Sequence, residues 1–183
     1  SVQIGIRGSL HETSDLDWPL SQGVNIVTME EFETLGVEGT LGEILRVVGD
    51  DPAYVSFDVD GLDPVYAPGT GTPEVGGLTT REAQHLLRGL RGMHLVGGDV
   101  VEVAPPYDPS GGTALVGAPM MFEILCLLAE SVAHQRELRA AAVQVNVRLH
   151  ASRAGDLAAD TAVGDAPVTA PNDRDYAIRM TPL

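Results

Sequence analysis

Short apolar segments rich in β-branched residues recur along the first hundred residues and are separated by more polar stretches. Four of these segments have the length and composition of buried β-strands, namely residues 2–6, 24–28, 53–57 and 95–103. Apolar residues at helical spacing follow at residues 40–48, 80–90 and 113–131. Because strands that alternate with helices form βαβ units, we expect an α/β protein with a mainly parallel sheet.

Local sequence also predicts where two helices begin. Thr79 lies three residues before Glu82, which is the spacing of a capping box, so a helix is predicted to start there. Thr40 is the cap expected for the helix over residues 40–48. Between these helices, residues 61–78 are rich in Gly and Pro, which predicts a loop.

The composition changes near residue 133. Residues 1–133 carry five Arg and 20 acidic residues, whereas residues 134–183 carry six of each. We therefore expect residues 1–132 to form one portion of a domain and residues 133–183 to form a separate tail. Alternation of apolar and polar residues over 142–149 predicts a strand, and the rest of the tail is expected to be poorly ordered.

The chain is strongly acidic, with 26 Asp and Glu against 11 basic residues, all of them Arg, and a net charge of −15. Phosphate backbones would repel such a chain, so nucleic-acid binding is not expected, whereas cationic ligands are favoured. The longest mainly apolar run, residues 114–129, is shorter than the roughly 18 residues of a membrane span. We expect a cytoplasmic protein with no membrane partner.

The clearest candidate for chemistry is the string SFDVDGLDP over residues 56–64. Asp58 and Asp60 come at the end of a buried strand, and side chains two apart share a face, so both carboxylates are expected to project together. The carboxyl ends of parallel strands are where ligands bind in open α/β sheets. Carboxylate pairs of this kind suit Mg²⁺ and Mn²⁺. Asp63, before Pro64, is expected to hold the turn through backbone hydrogen bonds.

Two other types of acidic motif fit the string less well. A calcium loop of the EF-hand type needs an oxygen donor and then Gly where this chain has Leu62 and Asp63. Phosphatases of the haloacid-dehalogenase type share an Asp-x-Asp-Gly-Thr motif, but here Leu62 stands in place of Thr. Those enzymes also use a later Lys, and this sequence contains no Lys.

A longer resemblance surrounds the two aspartates. The string YVSFDVDGLDPVYAPGTGTPEVGGLT (residues 54–79) resembles the C-terminal signature of the ureohydrolases, the family of arginase, agmatinase and guanidinobutyrase. Similar strings lie on both sides: VQIGIRG at 2–8, GDVVEVAPPYDPSGGTAL at 98–115 and FEILCLL at 122–128. The details of the last two resemble the guanidinobutyrase and guanidinopropionase branch. The string APGTGTP argues against the deacetylase branch of the same fold.

The resemblance implies a three-layer α/β/α fold, of which this chain carries the C-terminal half, and a site with two Mn²⁺ ions. It implies that Asp58 and Asp60 are metal ligands and that Glu102 binds the substrate guanidinium as a catalytic residue. A carboxylate suits that role because it accepts two parallel hydrogen bonds from a guanidinium. His11 is a candidate for contact with the substrate tail, and Asp99 is expected to order a neighbouring loop or ligand.

The family's upstream metal motifs, Gly-Gly-Asp-His and Asp-Ala-His-x-Asp, do not occur in this sequence. We therefore expect a portion of an enzyme that is inactive alone and that forms, when complete, a trimer or hexamer. The expected reaction is hydrolysis of agmatine, 4-guanidinobutyrate or a similar linear guanidino compound to urea and an amine. The alternative is a catalytically dead relative that serves as a structural or interaction module.

Overall fold

The computed structural model describes residues 1–8, 12, 14–156 and 176–180 of the chain. The described strands are β1 (Val2–Ile6), β2 (Asn25–Thr28), β3 (Ala53–Asp58), β4 (Leu95–Val101) and β5 (Tyr176–Met180). The described helices are α1 (Asp17–Ser21), α2 (Met29–Val48), α3 (Thr80–Gly89) and α4 (Gly112–Asp156).

The five strands form one parallel sheet in the order β2-β1-β5-β3-β4. The predicted α/β class with a parallel sheet is confirmed. Strands β3 and β4 pair along their length, and this ladder ends with Asp58 opposite Val101. Because the strands are parallel, the residues that follow β1, β3 and β4 lie at the same edge of the sheet.

The capping box predicted at Thr79 is present, since the Thr79 hydroxyl accepts from the Glu82 amide and the Glu82 carboxylate accepts from the Thr79 amide. The predicted start at Thr40 is wrong. Helix α2 begins after Thr28, which forms its own capping box with Glu31. Thr40 instead lies inside the helix, where its hydroxyl donates to the Gly36 carbonyl at 2.8 Å. The helix bends at Gly36, whose φ of 65° is outside the helical range.

The strand predicted over residues 142–149 is also wrong, because these residues belong to α4. Extending an existing helix adds one hydrogen bond per residue, whereas a new element needs a new nucleus, so helix propagation outweighs the local alternation. Within the tail, residues 176–180 form β5 between β1 and β3. Residues 1–131 and β5 belong to one compact unit, and a second unit begins at Val132. The predicted domain boundary at 132/133 stays a prediction.

The core of the first unit is built from side chains of β1, β2, β3 and β4 and of α2, α3 and α4. Its largest fully buried members are Phe57, Ile4, Ile44, Leu62, Leu78, Leu86, Leu87, Leu90, Met120 and Ile124. Helix α4 packs closely on the sheet, because a Cβ at Gly98 of β4 would lie 2.6 Å from the Ile124 side chain. The contact therefore requires glycine at position 98.

The segment Gly112–Gln144 of α4 is long and apolar enough to cross a membrane by length and composition alone. Core helices of soluble proteins satisfy the same criterion. In this chain Met120, Ile124 and Leu127 of that segment are buried in the core.

Candidate active site

Asp58 and Asp60 lie together at the carboxyl end of β3, and their residues are 2% and 3% exposed. Asp58 is the last residue of the strand, and Asp60 lies in a 3₁₀ turn over Val59–Gly61. The Asp60 amide donates to Asp58 Oδ1 at 2.9 Å. The proximity of the two residues therefore comes from a turn closed by this hydrogen bond. The expected alternation along one strand is wrong, because the strand ends before Asp60.

The Asp60 carboxylate has two different environments at its two oxygens. Asp60 Oδ2 accepts a hydrogen bond from the Thr72 hydroxyl. Asp60 Oδ1 is buried, and no hydrogen-bond donor among the described residues reaches it. A buried carboxylate oxygen without a partner is costly unless a cation or a donor is supplied.

Arg7 supplies one cation near this turn. It follows β1, is 9% exposed, and uses its guanidinium to donate to backbone carbonyls on both sides of the site. The acceptors are the carbonyls of Gly5, Asp60, Leu62, Glu74 and Val75. Burial lowers the pKa of Arg7, and the nearby carboxylates of Asp63, Glu74 and Asp60 oppose that shift.

Asp63 holds the loop after this turn, as predicted from its position before Pro64. Its Oδ1 accepts from the Val65 amide at 3.0 Å and its Oδ2 accepts from the Gly76 amide at 2.8 Å. These backbone donors, with a smaller contribution from Arg7, lower the pKa of the Asp63 carboxyl.

Glu102 directly follows Val101, the residue that pairs with Asp58 at the end of the sheet. It has a φ of 64°, which makes it the one non-glycine residue with positive φ in the described part of the chain. Such a conformation costs about 1–3 kcal/mol and is found preferentially at functional sites. A Cβ added to Gly71 would lie 4.0 Å from Glu102 Oε2, so the carboxylate sits beside the residue that precedes Thr72.

The structure thus brings three predicted site residues, Asp58, Asp60 and Glu102, to the same edge of the sheet. His11, the fourth, lies outside the described residues. Sequence reasoning missed Thr72 and Arg7, whose contacts depend on residues far away in the chain. The string VQIGIRG contains Arg7, but nothing in it indicates which carbonyls the side chain meets.

Asp99 lies away from that edge, opposite Ser56 in the β3–β4 ladder. Its Oδ2 accepts from the Tyr54 hydroxyl at 2.9 Å, and this hydrogen bond raises the pKa of Tyr54. Its other oxygen, Oδ1, is buried, and no hydrogen-bond donor among the described residues reaches it. The expectation that Asp99 orders a neighbouring loop or ligand stays a prediction.

Within the described ranges, no group of three or more His, Cys, Asp or Glu side chains could hold a metal ion by itself. Asp58 and Asp60 form a pair of buried carboxylates, and the unpartnered Asp60 Oδ1 suits coordination of a hard cation. The pair therefore fits part of a metal site, and further ligands would have to come from elsewhere.

The loop that carries Thr72 is also tied to the start of α4. The Gly69 amide donates to Thr113 Oγ1 at 2.8 Å, and the Thr113 amide donates to Asp108 Oδ2 at 2.6 Å. Asp108 also accepts from Ser110, and these bonds lower its pKa to about 2. A Cβ at Gly69 would lie 2.5 Å from the Asp108 Cβ, so the close approach requires glycine at position 69.

A cleft of about 520 Å³ lies further along the loop that carries Thr72, beside Gly76, Gly77 and residues of α2. Its lining includes Glu30, Glu33 and Glu82 but not the three residues at the edge of the sheet. It is therefore distinct from the candidate site.

Comparisons with known proteins agree on one family. The sequence profile of the arginase family matches residues 1–127. A guanidinopropionase of Pseudomonas aeruginosa is 64% identical over 133 residues, which cover 73% of this chain and 42% of that protein. A guanidinobutyrase of the same organism is 48% identical over 127 residues, covering 69% of this chain and 40% of that protein. The chain therefore spans less than half the length of these curated relatives.

Solved structures give the same result. Proclavaminate amidino hydrolase from Streptomyces clavuligerus superimposes with a TM-score of 0.67 at 46% identity, covering 71% of this chain and 43% of that one. An arginase from Bacillus subtilis gives a TM-score of 0.61 at 34% identity, covering 69% of this chain and 44% of that one. The profile match over residues 1–127 contains the turn with Asp58 and Asp60 and also Glu102. The chain belongs to the arginase family.

Proposed function

We propose that this chain contributes the carboxyl-end half of a site that hydrolyses a linear guanidino compound to urea and an amine. The observation that carries the proposal is the placement of two buried carboxylates and a strained, exposed glutamate at one edge of a parallel sheet. The names of the relatives, guanidinopropionase and guanidinobutyrase, support this class of substrate.

Asp58 and Asp60 are proposed to hold Mn²⁺. Their oxygens are the hard ligands that this ion accepts, and a cation would offset the cost of burying both carboxylates. When bound, the metal supplies a water of lowered pKa for attack on the guanidinium carbon. The Asp60 amide holds the Asp58 carboxylate, and the Thr72 hydroxyl holds the Asp60 carboxylate.

Glu102 is proposed to bind the head of the substrate. Its carboxylate can accept two parallel hydrogen bonds from the planar, permanently charged guanidinium, and this fixes the orientation of the carbon to be attacked. The reaction consumes one water, breaks the bond between the carbon and the alkyl-bearing nitrogen, and gives neutral urea and an alkylammonium ion. The leaving nitrogen gains two protons, and these are the two protons that the water loses as its oxygen becomes the urea oxygen.

Agmatine, 4-guanidinobutyrate and 3-guanidinopropionate share the reactive head and differ in the tail. The name of the relative that is 64% identical makes 3-guanidinopropionate the first compound to test. The net charge of −15 favours a substrate that carries a cationic group but does not discriminate among these tails.

The test is a chimera in which residues 1–133 of this chain replace the matched segment of the Pseudomonas aeruginosa guanidinopropionase. We expect the chimera, loaded with Mn²⁺, to release urea from at least one of the three compounds, and the 183-residue chain alone to release none. Asp58→Ala, Asp60→Ala and Glu102→Gln in the chimera should each remove most of that activity.

The matched control is Asp51→Asn, an exposed acid before β3, which should leave urea release unchanged. A folded chimera without activity would favour the alternative of a catalytically dead module. Near-normal turnover in Asp58→Ala or Asp60→Ala would refute the assignment of these residues.

A further inference from the structure

Arg7 connects three separate segments at the carboxyl edge of the sheet. Its Nη1 donates to the Gly5 carbonyl at 3.1 Å, in the strand that precedes it. Its Nη2 donates to the Asp60 carbonyl at 2.8 Å and to the Glu74 carbonyl at 2.6 Å. One nitrogen thus joins the backbone of the turn after β3 to the backbone of the loop that covers it.

Only a guanidinium can satisfy this set of acceptors. Arginine presents five N–H donors in a fixed planar fork, whereas lysine presents three donors around a single point. The Arg7 Nε donates to the carbonyls of Glu74 and Val75, each at 3.2 Å. All three guanidinium nitrogens therefore donate hydrogen bonds. A Cβ at Gly77 would lie 2.7 Å from Nη2, which shows how closely the loop backbone surrounds the side chain.

The same loop reaches the Asp60 carboxylate. Thr72, two residues before Glu74, donates its hydroxyl to Asp60 Oδ2. Arg7 therefore acts on Asp60 along two paths, directly at its backbone carbonyl and indirectly through the loop that carries Thr72. Asp60 Oδ1 is left buried and without a donor among the described residues.

We propose that Arg7 is a positioning residue that fixes Asp60 and the loop over residues 72–77 for cation binding. This inference rests on the proposed metal-binding role of Asp58 and Asp60, and nothing in it requires Arg7 to touch substrate. The positive charge of Arg7 is tolerated beside the proposed Mn²⁺ site because its N–H groups point at backbone carbonyls. Loss of such outer contacts lowers metal affinity by about 10- to 100-fold in metalloproteins.

The test uses the 183-residue chain with Mn²⁺ as the probe, followed by NMR. Paramagnetic broadening of the Val59 and Gly61 amide signals reports Mn²⁺ binding at the turn, even when it is weak. Exchange of the Gly76 and Leu78 amides, which donate to Asp63 Oδ2 and to the Gly61 carbonyl, reports the order of the loop without any metal.

Four variants are compared with the parent chain: Arg7→Lys, Arg7→Gln, Thr72→Val and the double variant Arg7→Gln with Thr72→Val. In both Arg7 variants we expect the Mn²⁺ affinity to fall by about tenfold or more and the two loop amides to exchange faster. Because Arg7 and Thr72 act along one chain of contacts, the double variant should lose less than the product of the two single losses. Arg81→Gln, an exposed arginine on α3, is the control and should change neither readout.

Unchanged Mn²⁺ affinity in a folded Arg7→Lys chain would overturn the inference, as would unchanged exchange of the loop amides. If Arg7→Gln does not fold, Arg7→Lys and Thr72→Val decide by the same criteria. Absence of broadening in the parent chain would show that the pair does not bind Mn²⁺ without the further ligands, and Mn²⁺ affinity would then be compared in the chimera. Loop exchange in the Arg7 variants would then still decide whether Arg7 orders the loop.

Discussion

The backbone amide of Asp60 donates a 2.9 Å hydrogen bond to Oδ1 of Asp58, and this contact joins the carboxylate of one buried aspartate to the backbone of the other. It occupies one oxygen of Asp58 and turns the chain out of β3 within three residues. The carboxylate that follows is then held by Thr72 from a loop 12 residues further on. Local turn chemistry thus provides the pair, and a distant loop fixes its orientation.

Asp60→Asn should separate stability from metal binding. The substitution keeps the size of the side chain and removes a buried negative charge, so the free energy of unfolding without metal should rise by about 1–2 kcal/mol, as is common when functional sites are neutralised. Mn²⁺ should stabilise the parent chain but not the variant, because only the folded parent binds it. Urea unfolding with and without Mn²⁺ measures both effects.

Asp51→Asn is the control for that experiment, because it removes an exposed charge of the same type. It should leave the free energy of unfolding within about 0.5 kcal/mol of that of the parent and preserve the stabilisation by Mn²⁺. A loss of stability in Asp60→Asn would show that the Asp60 charge is already compensated by Arg7 without metal.

Glu102→Gly and Glu102→Ala form a matched pair for the strained backbone at φ 64°. Both remove the carboxylate, but only glycine removes the steric cost of this conformation, roughly 1–2 kcal/mol. Glycine also frees the unfolded chain by roughly 0.5–1 kcal/mol, so the net gain expected for Glu102→Gly is about 0.5–1 kcal/mol. Thermal unfolding should rank glycine above alanine, while neither variant binds a guanidino ligand in the chimera.

If alanine and glycine are equally stable, the strain at residue 102 is no larger than the roughly 0.5–1 kcal/mol by which glycine favours the unfolded chain. The functional reading of Glu102 would then depend on its position beside Gly71 and Val101 alone.

Local signals predicted a large part of the fold. The strand patterns, the Thr79 capping box and the turn held by Asp63 depend on residues a few positions apart, and the structure confirms them. The role of Arg7 could not be predicted, because its acceptors lie up to 68 positions away. For the same reason β5, whose partners are β1 and β3, left no trace in a tail of ambiguous composition.

The Asp108 carboxyl should make stability depend on pH in acid. Its pKa falls from an ordinary 3.8 to about 2 because Ser110 and Thr113 donate to the charged form. A lowered folded-state pKa contributes stability that is fully present above pH 3.8 and is lost as the pH falls towards 2. Asp108→Asn should therefore be less stable than the parent at pH 5, and the difference should shrink by pH 2. Urea unfolding across this range measures it.

Ser110→Ala is the graded control for Asp108, since it removes the largest cause of the lowered pKa and leaves the carboxylate and Thr113 in place. It should show part of the same pH dependence. A constant difference between parent and Asp108→Asn at every pH would mean that Asp108 acts through shape and not through charge.

Glycine at position 77 is required by a close approach of two backbones. A Gly→Ala substitution there can be compared with the same substitution at an open position. A Cβ at Gly77 would lie 2.6 Å from the backbone atoms Leu62 C and Asp63 N, neither of which can rotate away. Gly77→Ala should therefore lower the free energy of unfolding by about 1–3 kcal/mol, as overpacking does. It should also accelerate exchange of the Gly76 and Leu78 amides, because the Arg7-bound loop is displaced.

The control is Gly42→Ala, which lies in the exposed face of α2 with no atom within 4 Å of the added Cβ. There alanine should stabilise the helix by about 0.5–1 kcal/mol, since it costs less backbone entropy than glycine. Chemical unfolding of both variants tests the pair, and equal stability of the two would mean that the loop over residues 72–77 can move away from the turn that carries Asp60.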